Sequence, residues 1–211
     1  MNKLQLETLK NELGLELSSE VIEKFSVYEK LFLDYNSHTN LMSKGDLALL
    51  FEKHIFDSLA FVLTKSQDGK KKILDIGTGG GFPSLVLAIC FENLEIVAVD
   101  SIAKKINFIA LATKELDLKN IKPVCSRSEN LSPQGVDIIT SRAVGKMVEI
   151  YKNSKIHIKK GGKFVFYKAD PKVYKSEIVE LQSLLGQKIN PKVIKYALPT
   201  PELHARALII V

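Results

Sequence analysis

The chain has 211 residues, 45% of them hydrophobic, and 30 Lys and Arg against 24 Asp and Glu give it a net charge of +6. That size and apolar fraction suit one good core and argue against two large domains. The longest apolar run, over 85–91, is far shorter than the ~20 residues of a membrane helix, no signal-peptide pattern stands out, and the modest basic excess fits a polyanionic partner without requiring one.

Three helical patterns come first. Leu6, Leu9 and Leu13 repeat at helical spacing up to Gly14, a residue suited to the left-handed end of a helix. Val21, Phe25, Tyr28, Phe32 and Tyr35 follow Ser18 and Ser19, which can cap a helix start. Leu47, Leu50, Phe51, His54, Ile55, Ser58 and Leu59 form a third stripe, and the polar stretch 66–70 ends it. Residues 1–65 are therefore expected as a helical cap and 66–211 as the main domain. There the pattern alternates, with strands expected over 73–76, 96–99, 121–125, 136–140 and 163–167. Helices are expected over 83–91, 103–116, 146–158 and 173–185. Such alternation calls for a parallel α/β sheet covered on both faces. Two last extended runs, 193–197 and 205–211, have no helix between them and should pair antiparallel at the edge.

Cys90 and Cys125 lie apart in apolar segments, without metal-ligand spacing, and read as buried thiols of a reducing cytoplasm. No metal site is expected. No oligomerisation seam is evident, so a monomer is expected. The lysine clusters over 159–163 and 168–175 follow one another around a strand and a helix start, which makes them the better candidates for a polyanion.

The most informative stretch runs from Lys72 to Pro83. Ile73, Leu74 and Ile76 form a buried strand that ends in glycines, where the backbone can bend sharply and approach a ligand. Pro83 suits the first turn of the next helix. The second strand ends in Asp100, placed to accept ribose hydroxyls, so the segment is expected to bind a nucleoside cofactor. Counting from Gly77, the third position is Gly79 but the sixth is Phe82, so the dinucleotide fingerprint fails. What stands instead is Asp75, Gly77, Gly79 and Gly81 at alternate positions, with Phe82 either a core residue or the loop's exposed apex, packed against the cofactor. This resembles the first motif of class I S-adenosylmethionine-dependent methyltransferases, whose Rossmann-like sheet is mostly parallel and closes in a C-terminal antiparallel hairpin.

Further stretches resemble one family over nearly the whole chain. They are Asn40-Leu41, the run from His54 to Leu59, the glycine loop, Asp100-Ser101 with Lys104-Lys105, and the run from Ser126 to Glu129. Ser141-Arg142-Ala143, Tyr167-Lys168-Ala169 and His204-Ala205-Arg206 complete the set. The chain is similar to the bacterial ribosomal RNA small-subunit methyltransferases G, also called glucose-inhibited division protein B. Gly80 departs from that pattern, which often has proline there, and Ala169 stands where glycine is common. The resemblance implies S-adenosylmethionine as cofactor, 16S rRNA or an assembling small subunit as partner, and methylation of guanosine 527 at N7.

Guanine N7 carries a lone pair and no proton at neutral pH, so alignment can do most of the work and no residue is assigned as a general acid or base. After the fourth strand, Thr140-Ser141-Arg142-Ala143 lacks the Pro-Pro-aromatic motif of amino-group methyltransferases. Arg142 stays protonated and is expected to contact the cofactor, an RNA phosphate or the guanine edge. Ser128 and Glu129, after the third strand, are expected at the adenine. His54 and Ser58 share one side of a helix; they are either core residues or part of the acceptor cleft, with Lys168 a further cleft candidate.

Overall fold

The computed structural model of the protein describes residues 1–211. Helix α1 (Lys3–Leu13) begins on Asn2, whose side chain accepts from the Gln5 amide while Gln5 returns the bond, and it stops at Gly14 with φ 63°. Helix α2 (Ser19–Thr39) is capped by the Ser18 hydroxyl and ends at Asn40 in the left-handed region. Its apolar stripe buries Phe25, Tyr28 and Phe32.

The third stripe is not one helix, as its spacing suggests. It divides into α3 (Lys44–Leu47), a π-helical turn over Leu50–Ile55, α4 (Phe56–Leu59) and a 3₁₀ turn over Ala60–Thr64. The wider π turn changes the phase of the chain so that Leu50, Phe51, Ile55 and Phe56 are all buried. Packing overrides the uniform period here.

The main sheet follows: β1 (Lys71–Ile76), α5 (Ser84–Cys90), β2 (Leu94–Asp100), α6 (Ala103–Glu115), β3 (Ile121–Cys125) and β4 (Val136–Arg142). Next come α7 (Met147–Ser154), β5 (Ile158–Lys168), α8 (Pro171–Leu185), β6 (Lys192–Ala197) and β7 (Ala205–Ile210). Strand order is β3-β2-β1-β4-β5-β7-β6, with β1 to β5 parallel and β7 antiparallel to both neighbours. The expected mostly parallel sheet with a closing hairpin is what forms. From β1 the chain steps outward through β2 and β3, then returns to place β4 on the other side. The carboxyl ends of β1 and β4 thus mark the switch point where open α/β sheets leave a crevice for ligands.

One face of the sheet packs with α5, α6 and the N-terminal helices in a cluster of 35 buried residues that includes Phe25, Tyr28, Phe32 and Phe108. The other face, with Met147, Ile150 and Tyr174 of α7 and α8, forms a cluster of 13. The helix expected over 146–158 stops at Ser154, and a 3₁₀ turn over Lys155–His157 follows. That turn buries His157, whose Nε2–H donates 2.9 Å to the Ser128 carbonyl. The two thiols differ from expectation: Cys90 is half-buried and Cys125 is exposed at the end of β3.

Candidate active site

The glycine loop is shaped from beneath. The amides of Gly77 and Thr78 both donate to the Val99 carbonyl, at 2.8 and 3.0 Å. Gly77 has φ +69°, and a Cβ there would lie 2.2 Å from Val144 Cγ2, so only glycine fits under that side chain. Asp100, just beyond, accepts from the Gly79 amide at 3.0 Å and the Ile102 amide at 2.9 Å, with Lys105 Nζ 3.5 Å away. One carboxylate therefore fixes both the loop and the start of α6. Asp75 lies below, 1% exposed, where it accepts from the Thr140 hydroxyl at 2.8 Å while its Oδ2 has no partner. Burial raises its carboxyl to about 6, with the Thr140 bond working against the rise.

A cleft of about 430 Å³ opens over these strand ends, bounded by Gly77, Asp100, Lys105, Ser128, Glu129 and Val144. Ser128 starts a 3₁₀ turn over Ser128–Asn130 that His157 buttresses from below, and its hydroxyl donates to Glu129 Oε2 at 3.3 Å. His157 gave no signal in the sequence, because only the sheet brings it under a turn so far away in the chain.

Phe82 does not stand at an exposed apex. It is 4% exposed and packs edge-on against Tyr28 and Phe32, with the His54 ring 5.1 Å away. The guanidinium of Arg142 lies 5.3 Å from its ring centre. Arg142 Nη1 donates to the Lys53 carbonyl at 3.2 Å and to Asp57 Oδ2 at 3.1 Å, and Nη2 donates to His54 Nδ1 at 2.9 Å. Arginine can only donate, so His54 Nδ1 is the acceptor and the ring proton sits on Nε2, which is buried without a partner. Burial first, then the neighbouring Arg142, lowers the His54 pKa to about 3.

Beside Arg142 lies a second, smaller pocket of about 240 Å³, bounded by Asp57, Arg142, Tyr167, Lys168 and Arg206. Ala143 borders both cavities, so they meet at the end of β4. The sequence-derived candidates thus divide. Gly77, Asp100, Ser128 and Glu129 line the larger cleft, and Arg142 and Lys168 line the smaller pocket. Asp75, Gly79, Gly81 and Phe82 lie behind the loop surface. Ser58 is fully buried, its hydroxyl donating to the His54 carbonyl at 2.6 Å, and His54 backs Arg142 without lining either cavity. Lys168 pairs with Glu177 at 2.7 Å and donates to the Gly145 carbonyl at 2.9 Å.

Sequence reasoning missed Asp57 and Tyr196. Asp57, 2% exposed, accepts from Tyr196 at 2.6 Å as well as from Arg142. Its place one turn after His54 was a usable signal; Tyr196, on the terminal hairpin, offered none.

A family model described as GidB, rRNA small subunit methyltransferase G, matches residues 21–198. A ribosomal RNA small subunit methyltransferase G from Lachnoclostridium phytofermentans is 32% identical over 205 residues, 94% of this chain and 84% of that protein. The enzyme of that name from Desulfitobacterium hafniense is 34% identical over 207 residues, with the same coverage. Among solved structures, a SAM-dependent O-methyltransferase from Thermotoga maritima aligns with a TM-score of 0.57 at 17% identity, covering 73% of this chain and 64% of that one. M. jannaschii TYW2 in complex with AdoMet aligns at 0.55 and 13%, covering 73% and 74%. The fold is that of class I methyltransferases, the cofactor is S-adenosylmethionine, and the chain belongs to the rRNA small subunit methyltransferase G family.

Proposed function

We propose that this protein methylates N7 of a guanosine in 16S rRNA, position 527, and that it does so without a general base. The observation that carries the reading is the environment of Arg142, where the cofactor cleft and the smaller pocket meet. In the smaller pocket Arg142, Lys168 and Arg206 are donors, and the groups nearest Arg142 that could take a proton are already committed. His54 is neutral, with Nδ1 occupied by Arg142. Asp57 is shared between Arg142 and Tyr196, and Asp75 lies beneath the sheet end, outside both cavities. An amine acceptor would need a proton removed; N7 needs none.

The larger cleft fits the cofactor. Asp100 Oδ1 spends one lone pair on the Ile102 amide and keeps another for a ribose hydroxyl, while Oδ2 serves the Gly79 amide and Lys105. Backbone at Ser128 and the carboxylate of Glu129 suit an adenine edge, and the backbone of Gly77, which lines the cleft while Gly79 and Gly81 shape the loop behind it, suits the amino-acid tail, for whose carboxylate Arg142 is the nearby cation. Phe82 and Asp75 act by holding the loop in shape. Bound S-adenosylmethionine supplies a sulfonium methyl group, and the chain's own contribution is to hold the acceptor in line with it. Residues 1–65 act as a cap fastened to the catalytic domain 66–211, and the enzyme works as a cytoplasmic monomer on RNA or on an assembling subunit.

The test is radiolabelled methyl transfer to naked 16S rRNA and to isolated small-subunit particles, followed by mapping of the modified nucleotide. Label at guanine N7 is expected. Label on an exocyclic amine, on ribose or only on protein would refute the reading.

A further inference from the structure

The smaller pocket contains a residue that the cofactor does not account for. Arg206 stands directly across from Tyr196 in the β6–β7 ladder, so the two side chains share one face of the hairpin. Both reach the same carboxylate: the Tyr196 hydroxyl donates to Asp57 Oδ1, and Arg206 Nε lies 3.7 Å from that oxygen. Apart from a 3.4 Å bond from Nη1 to its neighbour's carbonyl at Ala205, the Arg206 guanidinium makes no other hydrogen bond. Its side chain is 25% exposed and borders the pocket.

The charges do not balance. Two guanidinium groups face one carboxylate, while Lys168 is spoken for by Glu177. The pocket therefore has N–H donors to spare, beside the cleft for the methyl donor. A base edge carrying a carbonyl oxygen matches such a wall, whereas one carrying an amino group would set donor against donor.

We propose that this pocket seats the acceptor base and that Arg206 recognises it, donating to the exocyclic oxygen of a 6-oxopurine. The inference deepens the guanine reading above and rests on it. A single bond to O6 differs from the bidentate O6/N7 grip by which arginine reads guanine in a duplex, and the difference matters: a donor on N7 would occupy the lone pair that must attack. With its Nε edge towards Asp57, Arg206 has its outer N–H groups to offer to O6, a contact that leaves N7 free. The pocket has space for a single base, so the nucleotide must leave its stack to enter.

A cycle between residue and base tests this. Wild-type and Arg206→Gln enzymes are given small-subunit particles reconstituted with guanosine or with 2-aminopurine riboside at the mapped position; 2-aminopurine keeps N7 and lacks O6. Wild type should lose about tenfold to a hundredfold in kcat/KM on 2-aminopurine. Arg206→Gln should show a similar loss on guanosine and little further loss on 2-aminopurine. Calorimetric affinity for S-adenosylmethionine and the melting temperature should match wild type. Arg206→Lys, which keeps the charge opposite Asp57, serves if the glutamine variant folds poorly, and should recover part of the guanosine rate. Wild-type kcat/KM in Arg206→Gln, losses that multiply, or a weakened cofactor affinity would each overturn the assignment. Particles that wild type leaves unmethylated at N7 would instead sink the guanine reading, and this proposal with it.

Discussion

Asp100 shares its two oxygens between the Gly79 and Ile102 amides, so its removal affects more than a ligand contact. Asp100→Ala should weaken S-adenosylmethionine binding by roughly tenfold to a hundredfold by calorimetry. It should also lower the melting temperature of the unliganded protein, because two backbone amides, at the glycine loop and at the start of α6, lose their acceptor. His54 bears on pH. With its pKa near 3 it is neutral throughout the working range, so single-turnover methylation should be flat from about pH 7 to about pH 9, in wild type and His54→Gln alike. Stability should respond to His54 and Asp75 in opposite directions. The folded His54 value lies below the ordinary 6.5, so stability is lost as pH falls from 6.5 towards 3, where only the unfolded chain takes up the proton. The folded Asp75 value lies above the ordinary 3.8, so stability is lost as pH rises from 3.8 to about 6. Asp75→Asn should therefore melt above wild type at neutral pH and lose that advantage in acid, which a series of thermal melts across pH would show.

The glycine loop and the turn after β4 act as a pair of elements. Gly77 sits at φ +69° directly under Val144. In Gly77→Ala the new methyl meets Val144, and the left-handed backbone costs a further 1–2 kcal/mol or so. Cofactor affinity should fall sharply. Adding Val144→Ala should restore only part of it, since this relieves the clash and leaves the backbone cost; full restoration would show that the dihedral strain is unimportant. A similar pairing ties the hairpin to α4. Tyr196→Phe removes the 2.6 Å bond to Asp57 and loosens β6 and β7 from the cap, while leaving Arg142 its own bond to the same carboxylate. A fall in melting temperature with unchanged cofactor affinity is expected.

Across the whole molecule, cap and sheet share one core. Phe32 packs on Phe82 and Phe108, and a Cβ at Gly80 would lie 2.8 Å from its ring, so α2 bears directly on the glycine loop. Phe32→Ala should cost about 3–5 kcal/mol and weaken cofactor binding although the residue lies outside the cleft. Unfolding should be a single transition, with far-ultraviolet and tyrosine signals coinciding; a cap that melts first would separate them. The sheet also pulls apart the basic clusters that are neighbours in sequence. Lys159 begins β5 and pairs with Asp137, while Lys168 ends the same 11-residue strand beside Arg142. Of the two clusters only Lys168 lies at the cavities.

The sequence by itself determined the sheet, its closing hairpin, the glycine loop and the acid at the end of β2. These depend on local signals, namely strand periodicity, glycine and proline placement, and a carboxylate at a strand end, which act within a few residues of one another. Its resemblance to known methyltransferases supplied the family and the cofactor. Tertiary structure decided the rest. The third stripe broke into α3, a π turn and α4 because burial of Phe51, Ile55 and Phe56 outweighed a uniform helical phase. Phe82 became core because α2 lies over it, a contact no periodicity encodes. The Asp57, Tyr196 and Arg206 cluster joins residues as many as 149 positions apart along the chain, from Asp57 to Arg206. Such partners are chosen by where the sheet carries them, and a single sequence records each residue but not its neighbour in space.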